Sequence, residues 1–312
     1  MTKFLAVGAA GLELAPEGDE RLETATRLDV AVTGPESNAV VAASRLGIDT
    51  TWLSKLPDSA LGRRVTGALR RHCVEPAVCW GGEGVGLTFA ERAAAPREST
   101  RIDDRAGAAA ASLTPDELPT EDVRGAELLY TSGATLALSE TLAETTAELF
   151  AAFDGPRALA FERSRAVESS AARERIGSLL STTDVLFTTE AGAAVLDEHG
   201  TPPETAHALA ATHGLDVVVV VREDGGALVW YERTVHEQHS PETDTIDERG
   251  AFDALCGAFL ARRLDGEDVD EALVAGVACG ALARTVRGAM PVIAPAEVDD
   301  CMAAMDGGSG HP

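Results

Sequence analysis

Residues 216–223 read Asp-Val-Val-Val-Val-Val-Arg-Glu, the most strongly β-branched run in the chain. Five consecutive valines leave no polar face, so as a strand they must be covered on both sides. Such strands belong at the centre of a parallel sheet. Working back from it, DVLFTT (184–189), ALAFE (158–162) and AELLYTSG (126–133) are further apolar runs of strand length. Helical patterns at 203–213, 190–198, 168–180 and 138–153 separate them. Strands alternating with helices imply a parallel sheet with crossovers on both faces. Towards the C-terminus two short strands (227–231 and 234–239) precede helices at 251–264, 268–287 and 296–304. The N-terminal part starts with a buried strand at 4–8. A helix follows from Asn38 to a closing Gly47, then a strand at 50–56, a helix at 59–72 and strands at 75–80 and 84–92. Residues 94–105 are a polar, proline-containing stretch, and the tail Gly-Gly-Ser-Gly-His-Pro (307–312) reads as disordered.

Composition bounds the function. The 312 residues are 45% hydrophobic, enough for one large α/β domain with a small appendage. Acidic residues number 51 against 26 basic ones, a net charge of −25, and lysine occurs only at Lys3 and Lys55. Without a basic footprint, bulk nucleic-acid binding is excluded. Charge spread this evenly repels itself in dilute buffer and is screened in molar salt, where the Debye length is ~3 Å. The expectation is adaptation to a salt-filled cytoplasm. The odd set of five cysteines contains no CxxC, so neither a disulfide framework nor a zinc site is indicated. The first apolar run is too short for a signal peptide and no segment offers the ~20 apolar residues of a membrane span.

Chemistry concentrates at 244–261, DTIDERGAFDALCGAFLA. A polar loop enters Gly250-Ala251, and Asp253 falls in the first turn of an apolar helix. Unpaired amides at a helix start can hold an anion, and a carboxylate beside it can take a proton from an attacking hydroxyl. The same acid could equally do no more than complement the helix dipole. No G-x-G-x-x-G follows the first strand, which argues against a dinucleotide dehydrogenase, and no serine elbow, HExxH or Cys/His cluster occurs.

DERGAFDALCGAFLA (247–261) resembles the C-terminal signature of ribokinase-like (PfkB-type) carbohydrate kinases, D-x-x-G-A-G-D-A-F with a following glycine. TGPESNAVVAASRLG (33–47) resembles their N-terminal signature G-G-x-x-x-N-x-A-x-x-x-x-x-L-G. The stretch 100–139 is similar to 2-keto-3-deoxygluconate kinases. The resemblance implies a ribokinase-like three-layer αβα core (1–10, 34–82 and 107–306) with a mostly parallel sheet, and a small β-sheet lid (11–33 and 83–106). It implies ATP-dependent phosphorylation of a sugar or sugar acid, with Asp253 as base and Gly250, Ala251 and Phe252 as the anion hole. Gly34, Asn38, Arg105 and Arg165 would bind the acceptor, with Arg105 forked onto its carboxylate. Arg222, Gly225 and Gly226 would serve the nucleotide and Glu190 the magnesium. ATP and Mg²⁺ would be the cofactors, a small sugar acid the partner, and a homodimer would form through the lid.

Several family positions are changed, and they concern the reaction itself. Phe252 replaces a glycine, Thr189 and Gly192 stand in for the N-x-x-E pair, and Glu223 sits where a glycine would admit phosphates. Asp103 replaces a tyrosine beside Arg105, and Thr33 the first glycine of the N-terminal signature. These changes leave open a second reading, a homologue that binds a sugar acid or nucleotide in a regulatory role.

Overall fold

The computed structural model describes residues 3–118, 123–196 and 200–308. Nine strands form one sheet in the order β13-β12-β11-β10-β9-β8-β1-β4-β5. Its parallel body comprises β1 (Phe4–Val7), β4 (Thr50–Leu56), β5 (Glu75–Trp80), β8 (Leu128–Ser132), β9 (Arg157–Phe161), β10 (Val185–Thr189) and β11 (Val217–Val221). The last two strands, β12 (Ala227–Tyr231) and β13 (Thr234–Gln238), run antiparallel at one edge.

The period of two along each strand divides the core. Phe4, Ala6, Val217 and Val219 face one apolar layer, and Leu5, Val7, Val218 and Val220 face the other. The first layer is closed by α1 (Pro35–Arg45), α2 (Ala60–Arg70), α8 (Ala251–Leu264) and α9 (Val269–Ala283). The second is closed by α3 (Gly133–Leu138), α4 (Glu140–Ala152), α5 (Ser170–Leu180) and α7 (Pro202–His213). A short α6 (Glu190–Ala193) follows β10, and α10 (Pro295–Gly308) packs outside α9. The ribokinase-like three-layer expectation therefore holds.

Four strands, β2 (Gly11–Ala15), β3 (Asp29–Thr33), β6 (Gly86–Glu91) and β7 (Thr100–Asp104), form a separate sheet in the order β3-β2-β6-β7. β7 reads Thr-Arg-Ile-Asp-Asp and is exposed throughout. It lies in the polar 94–105 stretch, and charged residues are what a free sheet edge tolerates.

Several helix limits move. α1 starts at Pro35, capped by Gly34, because proline suits a first helical position. Asn38 is thus inside the helix, its own amide bonded to the Gly34 carbonyl at 2.9 Å, and its side chain is free for other work. The helix expected over 138–153 is divided at Ser139, whose hydroxyl accepts from the Leu142 amide at 3.0 Å and caps α4. That over 190–198 shortens to α6 and a 3₁₀ turn ending at Leu196, residues 197–199 lying outside the described residues. That over 268–287 ends at Ala283. α10 runs to Gly308, past the start expected for a disordered tail, and 309–312 fall outside the described residues.

One close approach sets the geometry that matters for chemistry. A Cβ on Gly257 would lie 2.2 Å from the Ala39 carbonyl oxygen. With glycine there, α8 crosses α1 backbone to backbone, one turn beyond Asp253 and one residue beyond Asn38.

Candidate active site

That crossing joins two residues 215 positions apart: Asn38 Nδ2 donates to Asp253 Oδ2 at 2.8 Å. Asp253 is only 8% exposed and opens onto a cavity of about 570 Å³ between the four-stranded sheet and the main sheet. Gly34, Asn38, Arg105, Gly250 and Phe252 share that cavity. Burial foremost, and then the like charge of Glu162, push the Asp253 carboxyl well above the ordinary aspartate range. The Asn38 hydrogen bond and Arg101 oppose this shift without cancelling it.

The loop before α8 turns at Gly250 with φ 74°. A side chain there would strike the Ala289 carbonyl, 1.8 Å from an added Cβ. The Ala251 amide is drawn back to the Glu248 carbonyl at 3.4 Å. Those of Phe252 and Asp253 fall in the first helical turn, where no intrahelical acceptor exists. The ring of Phe252 packs against the apolar layer while its amide keeps its place at the helix start. The lost glycine therefore does not remove the donor.

Glu36, two residues before Asn38 in α1, is fully buried. Its Oε1 accepts from the Ser132 amide at 2.8 Å and from Thr135 Oγ1 at 2.7 Å, which pins the start of α1 to the end of β8. Burial raises its pKa; hydrogen bonds from Ser132 and Thr135 and the charge of Arg105 counter it.

From the four-stranded sheet, β7 and the residue after it deliver Arg101 and Arg105 into the same cavity. Arg101 Nε donates to Asp103 Oδ1 at 3.1 Å, and Thr88 Oγ1 donates to the same oxygen at 2.7 Å. Burial would raise Asp103, but these bonds hold it below its usual range. Opposite them, Glu162 lines the cavity from the end of β9. Burial raises its pKa and Arg101 draws it back. Acids and arginines thus line the cavity from both sides: Glu13, Asp103, Arg101 and Arg105 from the small sheet, and Asp253, Glu162, Arg163 and Arg249 from the other side. Arg101, Glu162 and Glu36 carried no signal in the sequence beyond their charge.

Other candidates lie elsewhere. Arg165 is exposed and does not line the cavity, whereas Arg163 and Ser164 of the same turn do. Arg222, Gly225 and Gly226 form the tight turn between β11 and β12, with the Arg222 amide donating to the Gly226 carbonyl at 2.8 Å. They do not line the cavity, and Arg222 is paired with Glu237. Glu190 accepts from the Glu223 amide at 3.2 Å, so it braces that turn. Among the described residues no cluster of three His, Cys, Asp or Glu suited to a metal occurs. Magnesium in phosphoryl transfer takes most of its ligands from phosphates and water, so one or two carboxylates suffice.

The family model for the pfkB carbohydrate kinases matches residues 1–296. The chain belongs to that family. A 2-dehydro-3-deoxygalactonokinase of Haloferax volcanii is 45% identical to this kinase over 312 residues, covering 98% of each chain. Among solved structures, the 2-dehydro-3-deoxygluconokinase of Thermotoga maritima superposes with TM-score 0.91 at 22% identity, covering 97% of this chain and 98% of that one. A ribokinase II of E. coli, solved with ATP and Mg²⁺, matches with TM-score 0.87 at 20% identity, covering 97% and 100%. At such identities these two structures speak for the fold alone. No helix among the described residues is long and apolar enough to cross a membrane.

Proposed function

We propose that this kinase transfers the γ-phosphoryl group of ATP to the terminal hydroxyl of a 2-dehydro-3-deoxy sugar acid. The observation that carries the reading is the Asn38–Asp253 pair in one cavity with Arg105, a base and a carboxylate fork facing the same space. Asp253 Oδ2 is oriented by Asn38, which leaves Oδ1 to accept the hydroxyl proton as the new O–P bond forms and the bond to ADP breaks. The amides of Phe252 and Asp253 point at the charge that develops on the moving phosphoryl group. Arg105 has no hydrogen bond or ion pair to another side chain among the described residues, and a carboxylate would supply one. Mg²⁺, bridging the phosphates, would supply charge neutralisation when bound. The lid shuts water out of the cavity, which keeps ATP from hydrolysis.

The 45% identical Haloferax volcanii protein, named for a sugar-acid kinase activity, supports this substrate class. The departures noted in the sequence leave the base, its orienting amide and the helix-start donors in place, so catalysis is favoured over a binding-only role. The charge of −25 and two lysines support work in molar salt, and five unpaired cysteines suit a reducing cytoplasm. Ile102 on β7, 53% exposed, offers an apolar contact for a homodimer through the lid. The test is ADP release from Mg-ATP in molar KCl with a panel of sugars and sugar acids. Release is expected with 2-dehydro-3-deoxy sugar acids; release with neutral sugars alone would overturn the substrate assignment.

A further inference from the structure

Immediately before Gly250, Arg249 extends into the cavity and holds two acids at once. Its Nε donates to Asp247 Oδ1 at 2.8 Å and its Nη2 to Asp247 Oδ2 at 2.6 Å, closing a ring within its own loop. Its Nη1 donates to Glu13, which belongs to lid strand β2 and lies 236 positions away. Asp247 continues the chain. Its Oδ2 accepts from the Gly288 amide at 2.9 Å and pairs with Arg92, the residue after lid strand β6. Two arginines and two carboxylates thus form a charge-balanced series that ties two lid strands to the loop carrying the transfer amides. Both carboxylates are only 4% exposed, whereas Asp58, in an ion pair with Arg63, is 76% exposed. Buried pairs are screened far less by salt than exposed ones.

We infer that Arg249 is a positioning residue: through Glu13 and Asp247 it clamps the lid to the 247–250 loop, so that lid closure and the aim of the helix-start amides are set together. This rests on the kinase reading above. The loop has no regular structure of its own; backbone bonds from Ile246 and Asp247 to the Arg284 carbonyl, at 2.8 and 3.1 Å, hold only its entry. Arg249 fixes its exit, next to the residues that face the phosphoryl group. Because one guanidinium serves both lid and loop, loss of the Glu13 charge leaves Arg249 and Arg92 sharing the single carboxylate of Asp247. A displacement of about 1 Å at the reacting centre costs on the order of 10²-fold in rate.

The experiment compares wild type, Glu13→Gln, Arg249→Gln, Arg249→Lys and Asp253→Asn in molar KCl. Turnover, the ratio of ADP formed to phosphorylated product, and hydrogen exchange of the 247–254 amides without ligands are measured. Glu13→Gln and Arg249→Gln are expected to lower kcat by roughly ten- to a hundredfold. KM for the sugar acid should change little, the ADP-to-product ratio should rise above one, and exchange at 247–254 should quicken. Arg249→Lys, which keeps the charge without the fork, should recover part of the loss and stands in if Arg249→Gln does not fold. Wild-type exchange, kcat and product ratio in Glu13→Gln would overturn the clamp. If the wild type itself turned over no sugar acid, the kinase reading would fall, and the exchange comparison would still decide the clamp.

Discussion

On the proposed reading, the two ends of the phosphoryl path are built differently. At the acceptor end, Asp253, Asn38, Glu36 and Glu13 are buried and their hydrogen bonds run between elements far apart in sequence. At the donor end, the 222–226 turn is held by its own backbone and by local partners, and carries Glu223 and Asp224 where phosphates would approach. The acceptor half is a rigid, charge-specific mould; the donor half is a turn with acids on it. Departures from the family signatures fall on both sides: Thr33 and Asp103 line the acceptor cavity, and Glu223, Thr189 and Gly192 stand at proposed donor positions, while Asp253 and Asn38 are kept. Acceptor recognition depends on side chains. Donor recognition leans on backbone amides and metal-bridged phosphates, for which side-chain identity matters less.

The largest effect should come from the base. Asp253→Asn is expected to lower sugar-acid phosphorylation by about 10²- to 10⁴-fold in an ADP-release assay. The same change should raise the melting temperature at neutral pH. Asp253 titrates higher in the fold than in the unfolded chain, so the fold gains relative stability at low pH and loses it as pH rises through the folded-state pKa. Asparagine removes that loss, and calorimetry at pH 5 and pH 8 should show the gain growing with pH.

Next comes Arg105→Ala. A charge-assisted bond to carboxylate contributes ~2 kcal/mol, so kcat/KM for the sugar acid should fall about thirtyfold. Any residual activity on a neutral sugar should be unchanged, and an equal loss on both would break the assignment of Arg105 to the carboxylate. The smallest effect belongs to the donor turn. Glu223→Gln removes a like charge from the approach of the phosphates, so KM for ATP should fall by about two- to fivefold, in line with the modest worth of an exposed charge. KM for the sugar acid should stay constant; a larger shift there would blur the division between the two halves.

Much of this was legible beforehand where local pattern suffices. The valines of β11 and the apolar runs of β1, β8, β9 and β10 declare a parallel sheet because burial on both faces demands it. Asp253, Gly250 and Asn38 were found through their signatures, whose spacing reflects a glycine-bearing helix crossing. Glu-Arg-Ser-Arg offers two arginines two residues apart, and only three dimensions show that Arg163, not Arg165, lines the cavity. Arg249 and Glu13 were missed since their pairing joins residues 236 apart and leaves no local trace. The family resemblance put 83–106 in a small β-sheet, but the residues alone left 94–105 as a polar stretch, because a charged edge strand and a polar loop share a composition.

The most direct measurement is the pH dependence of kcat/KM for a 2-dehydro-3-deoxy sugar acid in molar KCl, from about pH 3 to about pH 9. This quantity reports the titration of the free enzyme's essential groups. If buried Asp253 is the base, activity should disappear on the acid side with an apparent pKa above the ordinary aspartate value of about 3.9. An acid limb at or below that value, or an Asp253→Asn variant that keeps wild-type turnover, would contradict the account.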